Sequence, residues 1–212
     1  RDWIQLPATP GLGNTSVRRL LAYFGLPAQI LAQPASALEA CISASQTKAL
    51  LQPSDTVRNL QTATCDWLFA VPSLPLRRHI ITLGDPDYPH RLLETADPPV
   101  LLYLTGHERW FDAEGLLKAW PEKSLAIVGS RNPTAQGSAN AYAFSQALAS
   151  QGISVVSGLA LGIDTSAHQG ALATPGSENP ATIAVIGTGI DRVYPKHNHA
   201  LAQQIAEHGL IV

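Results

Sequence analysis

The spacing of apolar positions changes character near residue 75. Before that point apolar residues recur at helical spacing. Val17, Leu20, Leu21 and Phe24 share one face, following a turn at Pro10-Gly11-Leu12-Gly13-Asn14. Asn14 or Thr15 can cap this helix and Gly25 stops it. Further helices are predicted over 30–32, 35–42, 46–51 and 56–69, separated by Pro34, by Ser43 to Ser45, and by Pro53. No strand pattern appears before Pro75. The reading is a small all-helical domain over 1–75, with a linker at Pro72-Ser73-Leu74-Pro75 and a second domain over 76–212. A helical domain of about 75 residues lies near the practical limit for an unaided core.

After the linker the pattern becomes that of strands. Residues 79–83 and 100–104 are predicted strands, the first ending at Gly84-Asp85-Pro86. A short helix runs between them from Asp87-Tyr88-Pro89 to Leu93, and another is predicted over 113–119. Three apolar strands then each run into a glycine: 125–128 into Gly129, 154–156 into Ser157-Gly158, and 183–186 into Gly187. Each glycine falls 29 residues after the one before. One strand, one turn and one crossover helix per step is the signature of a parallel α/β sheet. The helices of this series are predicted over 136–150, 164–173 and 198–208, and 210–212 reads as the opening of a further strand. The even spacing is an architectural step, not a solenoid repeat, because the intervening sequences differ.

Composition narrows the picture. With 212 residues and 45% hydrophobic content the chain can bury a real core in one large or two small domains. Its net charge of −2 excludes a global basic field, so any positive surface must be local. Residues 121–212 carry four Lys/Arg and five Asp/Glu, yet Arg131, Arg192 and Lys196 all sit in or beside strand-end turns. Cys41 and Cys65 lack metal-ligand spacing and read as two small apolar residues in helices. No segment is long and apolar enough to span a membrane and no cleavable leader is visible, so a cytoplasmic location is expected. The chain begins at Arg1 without any methionine and closes on an apparent strand opening. The natural start is therefore expected to be missing and the C-terminus to fall within a domain.

Ligands on parallel sheets bind where strands end and helices begin. In the first turn Gly129 permits a sharp bend, Ser130 offers a hydroxyl and Arg131 a forked cation, beside the N-terminal amides of the next helix. That set suits one phosphate, and the plain alternative is a tight turn with a solvated arginine. In the second turn Gly158 and Gly162 keep the backbone bare, and Asp164 or Thr165 can cap the following helix. His168 stands four residues after Asp164, where the two can form a structural hydrogen-bonded pair, and no nucleophile accompanies them.

The third turn, Gly187-Thr188-Gly189-Ile190-Asp191-Arg192, begins like a dinucleotide fingerprint but has Arg192 at the third glycine position. Pro195 fixes the turn that follows, Asn198 can cap the last helix, and Lys196 stands at its mouth. His197 and His199 diverge on a helix, so no metal site is expected, nor any cofactor. No pair of carboxylates is poised for acid–base work. The polar groups suit holding a phosphate or a base, not transforming it. Aromatic content is only 6% and Tyr194 is the aromatic within these turns, so phosphate contacts are expected to outweigh stacking.

In order and spacing, Gly129-Ser130-Arg131, Ser157-Gly158-Leu159-Ala160 with Gly162-Ile163-Asp164 and Ala167-His168, and Val185-Ile186-Gly187-Thr188-Gly189 with Tyr194-Pro195 and Asn198, resemble the DNA-processing protein A family (DprA, also called Smf). Upstream, Asp87-Tyr88-Pro89 with Leu92, Pro98-Pro99-Val100-Leu101-Leu102-Tyr103 and Gly106 are similar too. Pro10-Gly11-Leu12-Gly13, Leu20-Leu21 and Phe24-Gly25 resemble that family's helical SAM-like domain. The resemblance implies a small all-helical SAM-like domain followed by an extended Rossmann-like α/β domain with a parallel sheet. It implies a non-catalytic protein that binds single-stranded DNA in natural transformation, protects incoming strands and helps load RecA recombinase. It also implies a homodimer, formed through a region largely beyond residue 212. By position it assigns DNA contact to Gly129, Ser130, Arg131, Gly158, Gly162, Gly187, Lys196 and Asn198, and a structural role to Asp164 and His168. The family's Ser-Glu turn, its Phe-Pro-x-Arg-Asn-Arg motif and its dimer-forming part do not occur within these 212 residues.

Two other readings stand beside this one. Phosphoribohydrolases share a related Rossmann-like core, but their Gly-Gly-x-Gly-Thr turn leads to a catalytic glutamate. Here Gly187-Thr188-Gly189 leads to Ile190-Asp191, and the next glutamate is Glu207. The Pro10-Gly11-Leu12-Gly13 turn is similar to the hairpin of helix-hairpin-helix motifs, whose amides meet a DNA phosphate, and Arg18 and Arg19 lie nearby. The helical domain can thus be an auxiliary DNA module or a protein-interaction module, and a plain helix start is the simpler account.

Overall fold

The computed structural model of the chain describes all residues except 72, 73, 119, 175–178, 191 and 193. Part of the expected linker, Pro72 and Ser73, therefore lies outside the described residues, as do Ala119 of the expected 113–119 helix and Asp191 of the third turn.

Six short helices precede the first strand: α1 (Asp2–Ala8), α2 (Asn14–Phe24), α3 (Pro27–Leu31), α4 (Ala35–Glu39), α5 (Ala44–Leu51) and α6 (Asp55–Phe69). Helix α1 has no counterpart among the expected elements, and it buries Ile4 and Leu6. Ser43 caps α5 by accepting from Gln46 N–H at 3.3 Å, while Gln46 Oε1 accepts from Ser43 N–H at 2.8 Å. Leu6, Leu20, Ile30, Leu38 and Leu50 are fully buried and form one core with Val100. That core belongs to a discontinuous unit, Arg1–Ala70 with Ile80–Leu102, and a second unit comprises Val71–His79 with Tyr103–Val212.

The start of α2 departs from expectation. Its N-cap is Gly13, and neither Asn14 nor Thr15 caps it. Their side chains reach Asp97 instead, at 3.3 and 3.4 Å, and Arg18 Nη1 donates to the same carboxylate at 2.6 Å and to Pro98 O at 3.1 Å. The Arg18 hydrogen bond holds the Asp97 carboxyl below the usual range. Arg19 donates to Cys41 O at 3.1 Å. Both arginines beside the hairpin thus serve contacts within this unit, and a carboxylate sits over the first turn of α2. The geometry favours the plain helix start.

The remaining elements are β1 (Leu76–Thr82), α7 (His90–Leu93), β2 (Leu101–His107), β3 (Ser124–Ala126), α8 (Ala135–Ser150), β4 (Ser154–Ser157), α9 (Ile163–Leu172), β5 (Thr182–Ala184), α10 (His199–His208) and β6 (Leu210–Ile211). The six strands form one sheet in the order β1-β2-β6-β5-β4-β3. Strands β3 to β6 pair in parallel, with registers Ser124↔Ser154, Val155↔Thr182 and Ile183↔Leu210. The parallel sheet expected for the glycine-ended strands is present, and strand β2 joins it antiparallel to β6, Gly106 against Leu210, so the sheet is mostly parallel. Gly106 makes this approach possible, since a Cβ there would lie 2.9 Å from Gly209 O.

No helix forms over 113–118. Gly115 adopts φ +86°, Leu116 N–H donates to Asp112 Oδ1 at 2.8 Å, and Phe111 bridges antiparallel to Leu117. Asp and Gly make a tight turn here in place of a helical one. Both cysteines are free. Cys65 lies in α6, whereas buried Cys41 follows the end of α4. Among the described residues no helix is long and apolar enough to cross a membrane.

The crossover helices are packed with small residues. Ala149 of α8, Val155 of β4, and Ala167 and Ala171 of α9 share one core cluster. Gly170 of α9 lies so close to α8 that a Cβ there would stand 2.8 Å from the Tyr142 carbonyl carbon. On the inner face of α9, His168 is fully buried. It does not pair with Asp164 as expected. Its Nδ1 lies 2.7 Å from Thr182 Oγ1, and Thr182 Oγ1 donates to Val155 O at 2.7 Å. The single hydroxyl proton goes to that carbonyl, so His168 Nδ1–H is the donor and Nε2 is bare, buried and without a partner. Burial lowers its pKa to about 4.

The folded state therefore disfavours the imidazolium, and the unfolded chain takes up this proton first as pH falls. Stability from this group is full above about pH 6.5 and declines as pH falls towards 4, by about 3 kcal/mol in all. Urea titrations across that window should show the decline. A His168→Gln variant, less stable at neutral pH, should lack that portion of it.

Candidate functional site

The turns after β3, β4 and β5 converge as the sequence predicts, but their polar groups divide into two sets. One set locks the turns to one another. Gly162, at φ +86°, passes so close to the first turn that a Cβ would lie 2.8 Å from the Arg131 carbonyl carbon and from Pro133 Cδ. Ile163 N–H donates to Ser130 O at 3.1 Å. Gly129 makes room for Ile163, whose Cγ1 would lie 2.8 Å from an added Cβ. Ser130 Oγ accepts from Asn132 N–H at 3.1 Å, and Thr134 caps α8 by accepting from Gly137 N–H at 3.1 Å.

The second turn is held most tightly. Leu159 adopts φ +59° and is buried. Asp164 does not cap α9, whose N-cap is Gly162. Its Oδ2 instead accepts from Gly158 N–H at 3.1 Å and Ala160 N–H at 3.3 Å. Asn198 does not cap α10 with its side chain either. It is buried, and its Nδ2 donates to Leu159 O at 2.9 Å, Ala160 O at 3.3 Å and Thr165 Oγ1 at 3.0 Å. Thr165 Oγ1 donates in turn to Ala160 O at 2.8 Å. The amides of Gly158 and Ala160 thus face Asp164.

The other set lines two adjoining concavities. The first encloses about 220 Å³, with Arg131 from the first turn and Gly158, Ala160 and Leu161 from the second. Ile186, Gly187 and Thr188 form the wall from β5, and Tyr194 and Pro195 close it. The second, more open concavity is lined by Thr188, Gly189, Arg192, Tyr194, Lys196 and His199. Thr188 and Tyr194 belong to both. Tyr194 is 69% exposed, and Arg131, Lys196 and His199 are exposed. None of the described lining residues is a carboxylate.

Of the residues singled out from sequence, Arg131, Gly158 and Gly187 line the first concavity and Lys196 the second. Ser130 lies in the same turn as Arg131. Gly129, Gly162 and Asn198 hold the turns together instead of lining them. Leu161, Thr188 and His199 were not singled out as site residues. Leu161 had a sequence signal, a leucine in a strand-end turn between Gly158 and Gly162, whereas His199 becomes visible only once α10 is placed.

The fold and the strand-end concavities define a Rossmann-like α/β protein whose described site lining carries cations and no carboxylate. Comparison with known proteins sharpens that class. The family model for DNA recombination-mediator protein A matches residues 79–212, and the chain belongs to that family. Protein Smf of Synechocystis sp. is 43% identical over 132 residues, which cover 62% of this chain and 31% of that protein. DNA processing protein DprA of Streptococcus pneumoniae is 42% identical over 128 residues, 60% of this chain and 40% of that one. The X-ray structure of DprA from Streptococcus pneumoniae superposes with a TM-score of 0.69 at 29% identity, covering all of this chain and 66% of that chain. The chain thus spans less than half the length of these curated relatives.

Removing the Asn198 amide leaves the Leu159 and Ala160 carbonyls without a donor they now share. Asn198→Ala should destabilise the chain by about 1–3 kcal/mol, measured by urea denaturation at neutral pH.

Proposed function

We propose that this chain is the strand-binding part of a DNA-processing protein that takes single-stranded DNA without transforming it. The observation that carries the reading is the pair of concavities, joined at Thr188 and Tyr194, with Arg131 in one and Arg192 and Lys196 in the other. A strand laid across the strand ends meets a cation on each side of an exposed aromatic ring. The phosphates supply most of the affinity, and one base stacking on Tyr194 adds about 1–3 kcal/mol. Residues 76–212 form the DNA-binding domain in this reading, and 1–75 a helical accessory domain. Membership of the DNA recombination-mediator family supports a place in natural transformation, with RecA recombinase as the protein partner and a homodimer as the working form. The phosphoribohydrolase alternative needs a carboxylate at the cavity, and the described lining offers none.

The test is fluorescence anisotropy of labelled oligothymidine with duplex competitor across a salt series. Single strands should outcompete duplex, with log affinity falling against log salt by about 0.7 per phosphate neutralised. Arg131→Ala should weaken binding to every sequence alike and make that slope shallower by about 0.7. Base release from a nucleoside monophosphate, or an Arg131→Ala variant that binds like wild type, would overturn the reading.

A further inference from the structure

The cations of the two concavities come from distant parts of the chain. Arg131 stands in the turn after β3, against Gly158, Ala160 and Leu161 of the second turn. Lys196 stands on the approach to α10, two residues after Tyr194. For both to act on one nucleic-acid strand, the 194–196 segment must keep a set distance from the second turn. A cation already held at that distance spares binding the cost of ordering it.

Asn198 supplies the hold. Its N–H donates to Pro195 O at 3.0 Å across the single 3-10 turn Lys196–Asn198, so Lys196 moves with Asn198. Its side chain crosses to the second turn, where Nδ2 donates to Leu159 O at 2.9 Å. Which end of the carboxamide faces that turn is decided by Thr165. The Thr165 hydroxyl gives its one proton to Ala160 O at 2.8 Å. Towards Asn198, 3.0 Å away, Oγ1 is therefore an acceptor, and only the NH2 end of the carboxamide can meet it. Thr165 is the third residue of α9, a helix packed through Ala167 and Ala171 against α8 and β4. It is half-buried and, like Asn198, is not among the lining of either concavity.

We propose that Thr165 is a positioning residue for strand binding: through Asn198 it fixes the Tyr194–Lys196 segment against the second turn, so that Arg131 and Lys196 engage phosphates of one strand together. Thr165 itself touches no part of that strand. Without its hydroxyl, the second amide proton of Asn198 is left with Ala160 O at 3.3 Å, and the 195–198 turn loosens. The inference rests on the reading of the two concavities as one strand-binding site.

The test measures urea stability, affinity for labelled oligothymidine and salt slope for wild type, Thr165→Val and Thr165→Ser, each with and without Lys196→Ala. Thr165→Val should bind about fivefold more weakly, the loss of a hydrogen bond. Its salt slope should become shallower by about 0.7, the share of one phosphate. Thr165→Ser keeps the hydroxyl and should restore both. Lys196→Ala should weaken the wild type several-fold but change Thr165→Val by less than about twofold, because the two residues act through one device. A threonine that only stabilised the fold would lower the urea midpoint and leave the cost of Lys196→Ala unchanged. A folded Thr165→Val variant with wild-type affinity, or one in which Lys196→Ala costs as much as in wild type, overturns the inference while leaving the strand-binding reading in place. If Thr165→Val does not fold, the wild type decides: with oligothymidine bound, Asn198 side-chain amide protons that exchange as fast as those of an exposed asparagine overturn it. Wild-type protein that ignores oligothymidine overturns the functional reading and this inference with it.

Discussion

Asp164 and Asn198 hold the 158–160 turn in a backbone shape that costs free energy to keep. Leu159 at φ +59° is in a region that branched or bulky side chains avoid, at a cost on the order of 1 kcal/mol or more. The carboxylate takes two amides from one side of the turn, and the carboxamide takes two carbonyls from the other. With its backbone groups fixed this way, the turn can bury Leu159 and present Gly158 and Leu161 to the concavity. Gly162 then carries the chain past the first turn at close range. Residues from α9, from the 3-10 turn before α10 and from two strand ends thus depend on a few buried hydrogen bonds. Such networks rigidify what they connect when every member is satisfied.

The repeating strand–turn–helix unit was legible because the unit is local. An apolar run ending in glycine marks a strand end, and the even interval leaves room for one helix. Expected helices over 136–150, 164–173 and 198–208 fell within a residue of α8, α9 and α10. What the pattern could not carry was the destination of side chains that reach between elements. Asn198 and Asn14 each stand where a cap belongs, and each bonds a distant segment instead, while Asp164 reaches back to the turn just before α9. His168 sits one turn from Asp164, yet its partner is Thr182 on a strand. The antiparallel β2–β6 pair was hidden for the same reason, since pairing is settled between strands far apart in sequence. Of the candidate site, the turns and Arg131 were legible. Which glycines pack against neighbouring turns and which line the concavity needed the geometry of their neighbours.

Charge follows location more than composition. The chain is nearly neutral, and two arginines of the helical unit are committed, Arg18 to Asp97 and Arg19 to a carbonyl. Beside the strand ends, Arg131 and Lys196 remain exposed, and the described lining carries no acidic residue. A small local excess of positive charge is enough to orient an anion over a short distance, where the Debye length no longer screens it.

The contact of Gly170 with the backbone of Tyr142 has a consequence for motion. With no side chain between them, α8 and α9 have no soft layer across which one could slide or lift while the other stays closed. The two helices also enclose Ala149, Ala167 and Ala171, side chains too short to follow a separating partner. They should open as one cooperative unit, with the central amides of both helices reaching solvent through the same event and their hydrogen exchange reporting one opening free energy.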